Sequence, residues 1–275
     1  MKILLIHNKY QRRGGEDAVV EQEFDLLKSA GHEVYFHSVS NHEISGFKEK
    51  ASVFLRTPYD ASRRPWIANL LQQTGAQVLH VHNFFPLLTP AVHEEAAACG
   101  VAVVQTLHNY RTLCAGALLL RDGKSCEKCV SGSRYWGVMH RCYRDSLFGS
   151  LALMRMQNRA FAKGTWSRHV HRLIALTEFG RAKFIEGGMP AERLVVKPNF
   201  TSGRQAPLKG RSGALFLGRL SPEKGVSTLL EAWRRIPDFP LTIVGAGPEE
   251  DMLRRMAPSN VRFTGQLPAD EARAA

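Results

Sequence analysis

An α/β fold of two successive doubly wound units, the second incomplete, is what this sequence predicts. Three observations lead there. Short runs of branched apolar residues alternate with segments of helical period along the whole chain, the alternation restarts after a polar stretch near residue 202, and each half opens with strand, turn and helix. The 275 residues leave room for two ordinary domains.

The elements follow in order. Lys2 to His7 is a branched-rich apolar run. Behind it come a Gly14-Gly15 loop and a helix carrying Val19, Val20, Phe24 and Leu27, stopped at Gly31. Glu33 to Val39 alternates like a strand. A helix around Trp66 to Leu71 then leads to a strand from Gln77 to His82. Thr89 to Cys99 reads as a helix closed by Gly100, and Val101 to His108 is apolar almost throughout, as a strand buried on both faces must be.

Residues 109–145 break the rhythm and read as an insert at a strand's carboxyl end. The pattern returns with helix Ser146 to Lys163, strand Leu173 to Leu176, helix Thr177 to Glu186 and strand Arg193 to Val196. Ser202 to Ser212 has the Gly, Pro and polar content of a linker. Beyond it lie strand Ala214 to Leu217, helix Lys224 to Arg235, strand Leu241 to Val244, helix Pro248 to Met256, strand Val261 to Phe263, and the start of a helix from Asp270. Three strands are fewer than such a sheet normally has, so a chain that ends early is expected.

Composition narrows the function classes. An apolar share of 44% and a charged share of 23% are those of a globular protein. No signal h-region opens the chain, and no run approaches the roughly 18 apolar residues of a spanning helix. A cytoplasmic protein is expected, peripheral on the inner membrane face at most. The formal charge of +12 favours an anionic partner: a nucleoside diphosphate, lipid head groups or nucleic acid. No helix-turn-helix, RNP, KH or zinc-finger signature supports the last, and no nucleic-acid partner is expected.

Two βα turns have the makings of phosphate sites, where free N–H groups and a helix dipole meet an anion. The first is Gly14-Gly15-Glu16, which could equally be an ordinary tight turn. The second is Gly218-Arg219-Leu220-Ser221-Pro222-Glu223-Lys224-Gly225. There Arg219 offers a planar fork and Lys224 a point charge, suited to clamping a diphosphate, against the plain alternative of two solvated cations.

These turns, with Val244-Gly245-Ala246-Gly247-Pro248 and Lys197-Pro198-Asn199, resemble retaining glycosyltransferase family 4, of GT-B fold, over the whole chain. The resemblance implies an acceptor-side Rossmann-like domain over residues 1–200, with the insert at 109–145, and a partial nucleotide-sugar domain over 201–275. It implies a UDP- or GDP-sugar donor and a glycan or lipid-linked acceptor, with transfer of a hexose or related sugar at retained configuration. In this scheme the leaving phosphate itself takes the acceptor's proton. Arg219, Lys224, Gly14 and Gly15 would hold the donor diphosphate in a groove between the halves. Gly245 and Gly247 would lie beside the nucleoside, and His108 would be the catalytic-site histidine near the sugar, against the alternative of a satisfied strand-end histidine. Glu16, His82 and Asn83 would stand on the acceptor side. No Asp-x-Asp pair is present, so no obligatory catalytic metal is expected.

The family's Glu-x7-Glu pattern does not occur before Ala275, so impaired activity of this chain is expected. The alternative reading is a non-catalytic remnant that binds nucleotide or membrane. A GT-B sugar-nucleotide epimerase would need catalytic carboxylates that find no place. A dinucleotide dehydrogenase lacks the third glycine after Gly14-Gly15 and an acidic end to the second strand.

Cys126 and Cys129 form a CxxC pair, with Cys114 ahead and Cys142 behind. Four thiolates so spaced could close a structural zinc site; reduced free thiols and disulfides are the other readings. An insert poor in large apolar residues is expected to need such a staple, while Cys99 is expected to pack on a helix. Around the insert, Arg134, His140, Arg141, Arg144, Arg155, Arg159, Lys163, Arg168, His169 and Arg172 make a basic region. It is either an ordinary solvated surface or one that meets an anionic lipid-linked acceptor or an anionic membrane.

Overall fold

The computed structural model describes residues 1–11, 14–44, 46–201, 212–268 and 271–272. The chain divides into two units, Met1–Ser202 and Gly203–Ala275. The linker expected from Ser202 falls almost wholly outside the described residues, as does most of the helix expected from Asp270; residues 271–272 are helical.

In the first unit, β1 (Lys2–Lys9) leads to α1 (Gly15–Ser29), β2 (Glu33–Ser40), α2 (Phe47–Arg56), α3 (Arg63–Thr74), β3 (Val78–Val81), α4 (Ala91–Ala98) and β4 (Ala102–Leu107). The sequence pattern showed no element between Ser40 and Trp66, yet α2 forms there. It is strongly amphipathic but only ten residues long, too short for its period to stand out. Ile3 to Ile6 are all buried, because helices cover both faces of a parallel sheet.

The insert holds a small hairpin, β5 (Leu120–Arg121) with β6 (Lys124–Ser125), and the single turn α5 (Trp136–Met139). Leu113, Ala115, Leu119 and Val130 are buried and join the core of the unit. The expectation that this segment cannot bury apolar surface is therefore corrected: it borrows the core beside it. Cys99 is corrected too, since it caps α4 at its carboxyl end and is exposed.

The wind resumes with α6 (Leu147–Ala162), β7 (Arg172–Ala175), α7 (Glu178–Glu186) and β8 (Leu194–Val196). All six strands of this sheet are parallel, in the order β2-β1-β3-β4-β7-β8.

The second unit contains β9 (Ala214–Leu217), α8 (Val226–Trp233), β10 (Leu241–Val244), α9 (Glu250–Met256) and β11 (Val261–Gly265). Its described strands are parallel, ordered β11-β10-β9, over a core of Leu220, Val226, Leu230, Leu241, Ile243 and Leu253. No helix among the described residues is long and apolar enough to cross a membrane.

Candidate functional site

Sheet order fixes which loops meet. With β1 between β2 and β3, the connections leave β1 in opposite directions, and the carboxyl ends of β1, β3 and β4 lie side by side at the switch point where such sheets bind ligands. His7 and Asn8, His82 and Asn83, and His108 and Asn109 stand at or just beyond those three ends.

Asn83 and Asn8 tie two of the ends together. The Asn83 amide donates to the Asn8 carbonyl at 2.7 Å, the Asn8 amide donates to the Asn41 side chain at 2.8 Å, and the Leu87 N–H donates to the Asn8 side chain at 2.9 Å. Asn83 is buried with its oxygen taking the Phe85 N–H at 3.1 Å. Asn83 thus clips two strand ends together while also lining the recess described below.

At the start of α1, the Asp17 carboxylate accepts the Gly14 N–H at 2.7 Å and bonds His7 Nε2 at 3.1 Å. This closes the helix N-terminus and anchors the Gly14-Gly15 turn to β1. A Cβ at Gly15 would meet nothing within 4 Å, so the packing of this unit does not itself demand a glycine there. Glu16, next along, accepts from the Asn109 amide at 2.7 Å, while its other oxygen is buried without a partner. Burial pushes the Glu16 carboxyl up, against the pull of the Asn109 bond and the Arg111 charge. Tyr10, in the same group, is pushed up to about 12, first by burial and then by Glu16. Arg111 stacks over Phe85, at 4.8 Å from its ring, and over Tyr143.

Below these loops lies a cluster of histidines. His82 Nδ1 and His108 Nε2 are 3.0 Å apart, and His80 Nε2 is 2.8 Å from the Thr106 hydroxyl. The Glu23 carboxylate, from α1, sits 3.6 Å from His80 Nδ1 and 3.9 Å from His82 Nε2, and accepts from Lys197 Nζ at 3.2 Å. Burial drives His80 and His108 down to about 3 and His82 well below its ordinary value, so all three rings are neutral at physiological pH. The His82 side chain is fully buried, at the floor of the recess beside His108. His108 is half-buried and lines, with Asn109 and Arg111, a recess of about 20 Å³, room for roughly one water.

Glu23, His80 and His82 are also the group of metal-capable side chains that draws closest among the described residues, their ligand atoms all within 4.8 Å of one another. The Lys197 ammonium already neutralises Glu23 and would repel a cation beside it. Three of the insert cysteines lie beside two glycines: Cys114 Sγ and Cys142 Cβ are 3.8 and 3.9 Å from where a Gly116 Cβ would lie, and Cys129 Sγ is 3.8 Å from where a Gly137 Cβ would lie. Burial, then Cys114, with Cys142 and Cys126 adding, pushes Cys129 up to about 11. No three of their sulfurs approach one another as closely as the Glu23 group does. Of the basic region, Arg159 is used internally, in a two-pronged ion pair with Glu94 at 2.7 and 3.2 Å; Arg134 lies over Phe161. Arg141, Arg144, Arg155, Lys163 and Arg168 are exposed.

In the second unit, the loop bearing Arg219 leaves the carboxyl end of β9, and the loop bearing Gly245 and Gly247 leaves that of β10. The two are laced by hydrogen bonds, Gly218 N–H to Val244 carbonyl at 3.0 Å and Leu220 N–H to Ala246 carbonyl at 3.1 Å. Leu220 and Ser221 are buried, which pins the loop between the two exposed cations. Among the described residues, neither Arg219 nor Lys224 has an ion-pair partner.

Sequence reading missed His7, Asp17, Glu23, Asn109 and Arg111. Only the placing of Asn109 and Arg111 directly after a strand end hinted at them; the others are unremarkable until the sheet order is known.

Residues 14–199 match the family described as glycosyl transferase 4-like domain, and residues 202–274 match glycosyl transferases group 1. The chain is 33% identical over 134 residues to the GDP-mannose-dependent alpha-(1-6)-phosphatidylinositol monomannoside mannosyltransferase of Mycolicibacterium smegmatis. That match covers 44% of this chain and 35% of the relative's length. Among solved structures, Anabaena HepE with UDP-glucose superposes at a TM-score of 0.56 and 15% identity, over 99% of this chain and 71% of that one. The catalytic domain of starch synthase IV from Arabidopsis thaliana, bound to ADP and acarbose, superposes at 0.53 and 14%, over 99% and 75%. These likenesses show the α/β architecture of GT-B glycosyltransferases. With a family match across most of its length, the chain belongs to the glycosyl transferase 4-like family.

Proposed function

We propose that the protein transfers a sugar from a nucleoside-diphosphate sugar to a glycan or lipid-linked acceptor, with retention of configuration. One observation carries this reading: two exposed cations, Arg219 and Lys224, have no partner among the described residues, on a loop held rigid by its neighbour at the carboxyl ends of a parallel sheet. Unpaired cations on a preorganised loop suit a diphosphate that must be stabilised as it leaves. The open space beside Gly15 suits backbone approach to a phosphate. A relative whose name specifies GDP-mannose and a neighbour solved with UDP-glucose support a nucleotide-sugar donor.

In this reading Gly14, Gly15, Arg219 and Lys224 hold the diphosphate and Gly245 and Gly247 lie by the nucleoside. His108 meets the sugar, and Glu16 stands nearest the acceptor. Catalysis is positioning and charge stabilisation, the leaving phosphate taking the acceptor's proton, so the reaction calls for no obligatory catalytic metal. In the insert and α6, Tyr135, Trp136, Met139, Leu147 and Phe148 are exposed, as are Arg141, Arg144 and Arg155. Aromatic and aliphatic side chains with cations suit a lipid-linked acceptor or an anionic membrane. We further assign the four insert cysteines to a structural zinc ion, on the strength of the CxxC pair flanked by a cysteine on either side and of the mutual electrostatic influence of their thiols.

Titration of the chain with UDP-, GDP- and ADP-sugars, read as melting temperature, tests the donor reading. At least one raises the melting point, and the corresponding nucleoside monophosphate does so much less. No response to any of them ends it.

A further inference from the structure

The histidine that this reading places near the sugar owes its protonation pattern to residues that touch no substrate. His108 Nε2 and His82 Nδ1 lie 3.0 Å apart, so a single proton sits between two neutral rings, and one nitrogen must donate while the other accepts. Which does which depends on the far side of His82. There Nε2 is buried and makes no hydrogen bond, and the Glu23 carboxylate stands 3.9 Å away.

A bare lone pair on that nitrogen would face the carboxylate's negative charge; an N–H would present it with the positive end of a dipole. Inside a low-dielectric interior the second arrangement prevails. The carboxylate is itself held in place by Lys197 at 3.2 Å. The Nε2–H form of His82 leaves its Nδ1 bare, and this nitrogen then accepts from His108 Nε2–H. His108 Nδ1 is thereby left bare, with no hydrogen-bond partner among the described residues, on a half-buried ring at the carboxyl end of β4.

We infer that Glu23 and His82 are positioning residues that set His108 as a hydrogen-bond acceptor, its bare Nδ1 turned to accept a hydrogen bond from a hydroxyl of a bound substrate while that proton stays on the hydroxyl. The substrate part rests on the glycosyltransferase reading; the proton pattern does not. Neutrality of the rings agrees with burial, which lowers both His82 and His108 far below ordinary histidine values.

Long-range proton–nitrogen spectra of the full chain labelled with ¹⁵N-histidine, taken without ligand near neutral pH, read this directly. His108, assigned by loss of its signals in His108→Gln, is expected to show a protonated Nε2 and an unprotonated Nδ1. Glu23→Gln keeps the shape and removes the charge, and is expected to move the His108 population toward Nδ1–H, while Glu23→Asp largely restores it. An Nδ1–H signal on His108 in the unaltered protein, or no change in Glu23→Gln, overturns the proposal, and the unaltered protein alone suffices if the variants fold poorly. In transfer assays Glu23→Gln is expected to lower kcat/KM about tenfold with nucleoside-diphosphate affinity unchanged. Because the spectra need no ligand, a wrong proton pattern and a wrong substrate class give separate signatures.

Discussion

Gly247 lies so close to the backbone of Leu220 that a Cβ on it would sit 2.1 Å from the Leu220 carbonyl oxygen. Gly245 is as tightly placed: its φ of 143° disfavours other residues, and a Cβ there would stand 1.9 Å from the Gly218 carbonyl oxygen. Two glycines on one loop thus set the path of the loop that carries Arg219. Gly247→Ala must force the two loops apart, and is expected to destabilise the second unit by about 1–3 kcal/mol, as overpacking does. Urea midpoints measure the loss, and nucleotide-sugar affinity should fall with it.

Arg219→Ala and Lys224→Ala should behave in the opposite way. Both side chains are exposed and without ion-pair partners among the described residues, so stability should stay within about 0.5 kcal/mol. Each lost contact to a charged diphosphate should weaken donor binding by about 1.5–3 kcal/mol, or roughly ten- to a hundredfold. Calorimetric titration checks this, and unchanged affinity in the double variant would remove the diphosphate assignment.

His93 gives a pH dependence with a definite sign. Its Nε2 donates to Gln105 Oε1 at 2.7 Å, the Gln105 amide being oriented by its own bonds to the His82 and Thr106 carbonyls, and its buried Nδ1 has no partner. Burial lowers its pKa to about 4, outweighing the Gln105 bond. The unfolded chain takes up this proton near pH 6.5 and the folded chain only near 4. Stability therefore falls as pH drops through that window, by up to about 1.4 kcal/mol per pH unit from this residue. Chemical denaturation at pH 7 and pH 5 should show a smaller drop for His93→Asn than for the parent.

The zinc assignment makes a stoichiometric prediction. Protein purified without chelator should carry about one zinc per chain. Chelation should lower the melting temperature and release thiols to Ellman's reagent, and Cys126→Ser with Cys129→Ser should mimic it. Four freely reacting thiols in metal-poor protein of unchanged melting temperature would refute the site.

Much of the fold was legible because strands such as Ala214–Leu217 and Leu241–Val244 are short, branched and bounded by turn residues, and their predicted and observed limits coincide. The glycine-bearing turns were legible for the same local reason. Helix α2 was not, since it is only ten residues long, and so short a segment carries too few turns for its helical period to be told from a loop. Cys99 misled because a helical position says nothing of which side faces the core. The insert misled because its few apolar residues are buried by someone else's core.

What this sequence determined unaided is the alternation of strand and helix and the residues placed at each strand's end, since both depend on neighbours within a few positions. Only the tertiary structure decided that Glu23 and Lys197 meet beside His80 and His82, or that Asn83 would bond to Asn8. Those pairings follow from a sheet order that sets distant strands side by side, and side-chain chemistry acts through space, at distances that separation along the chain does not encode.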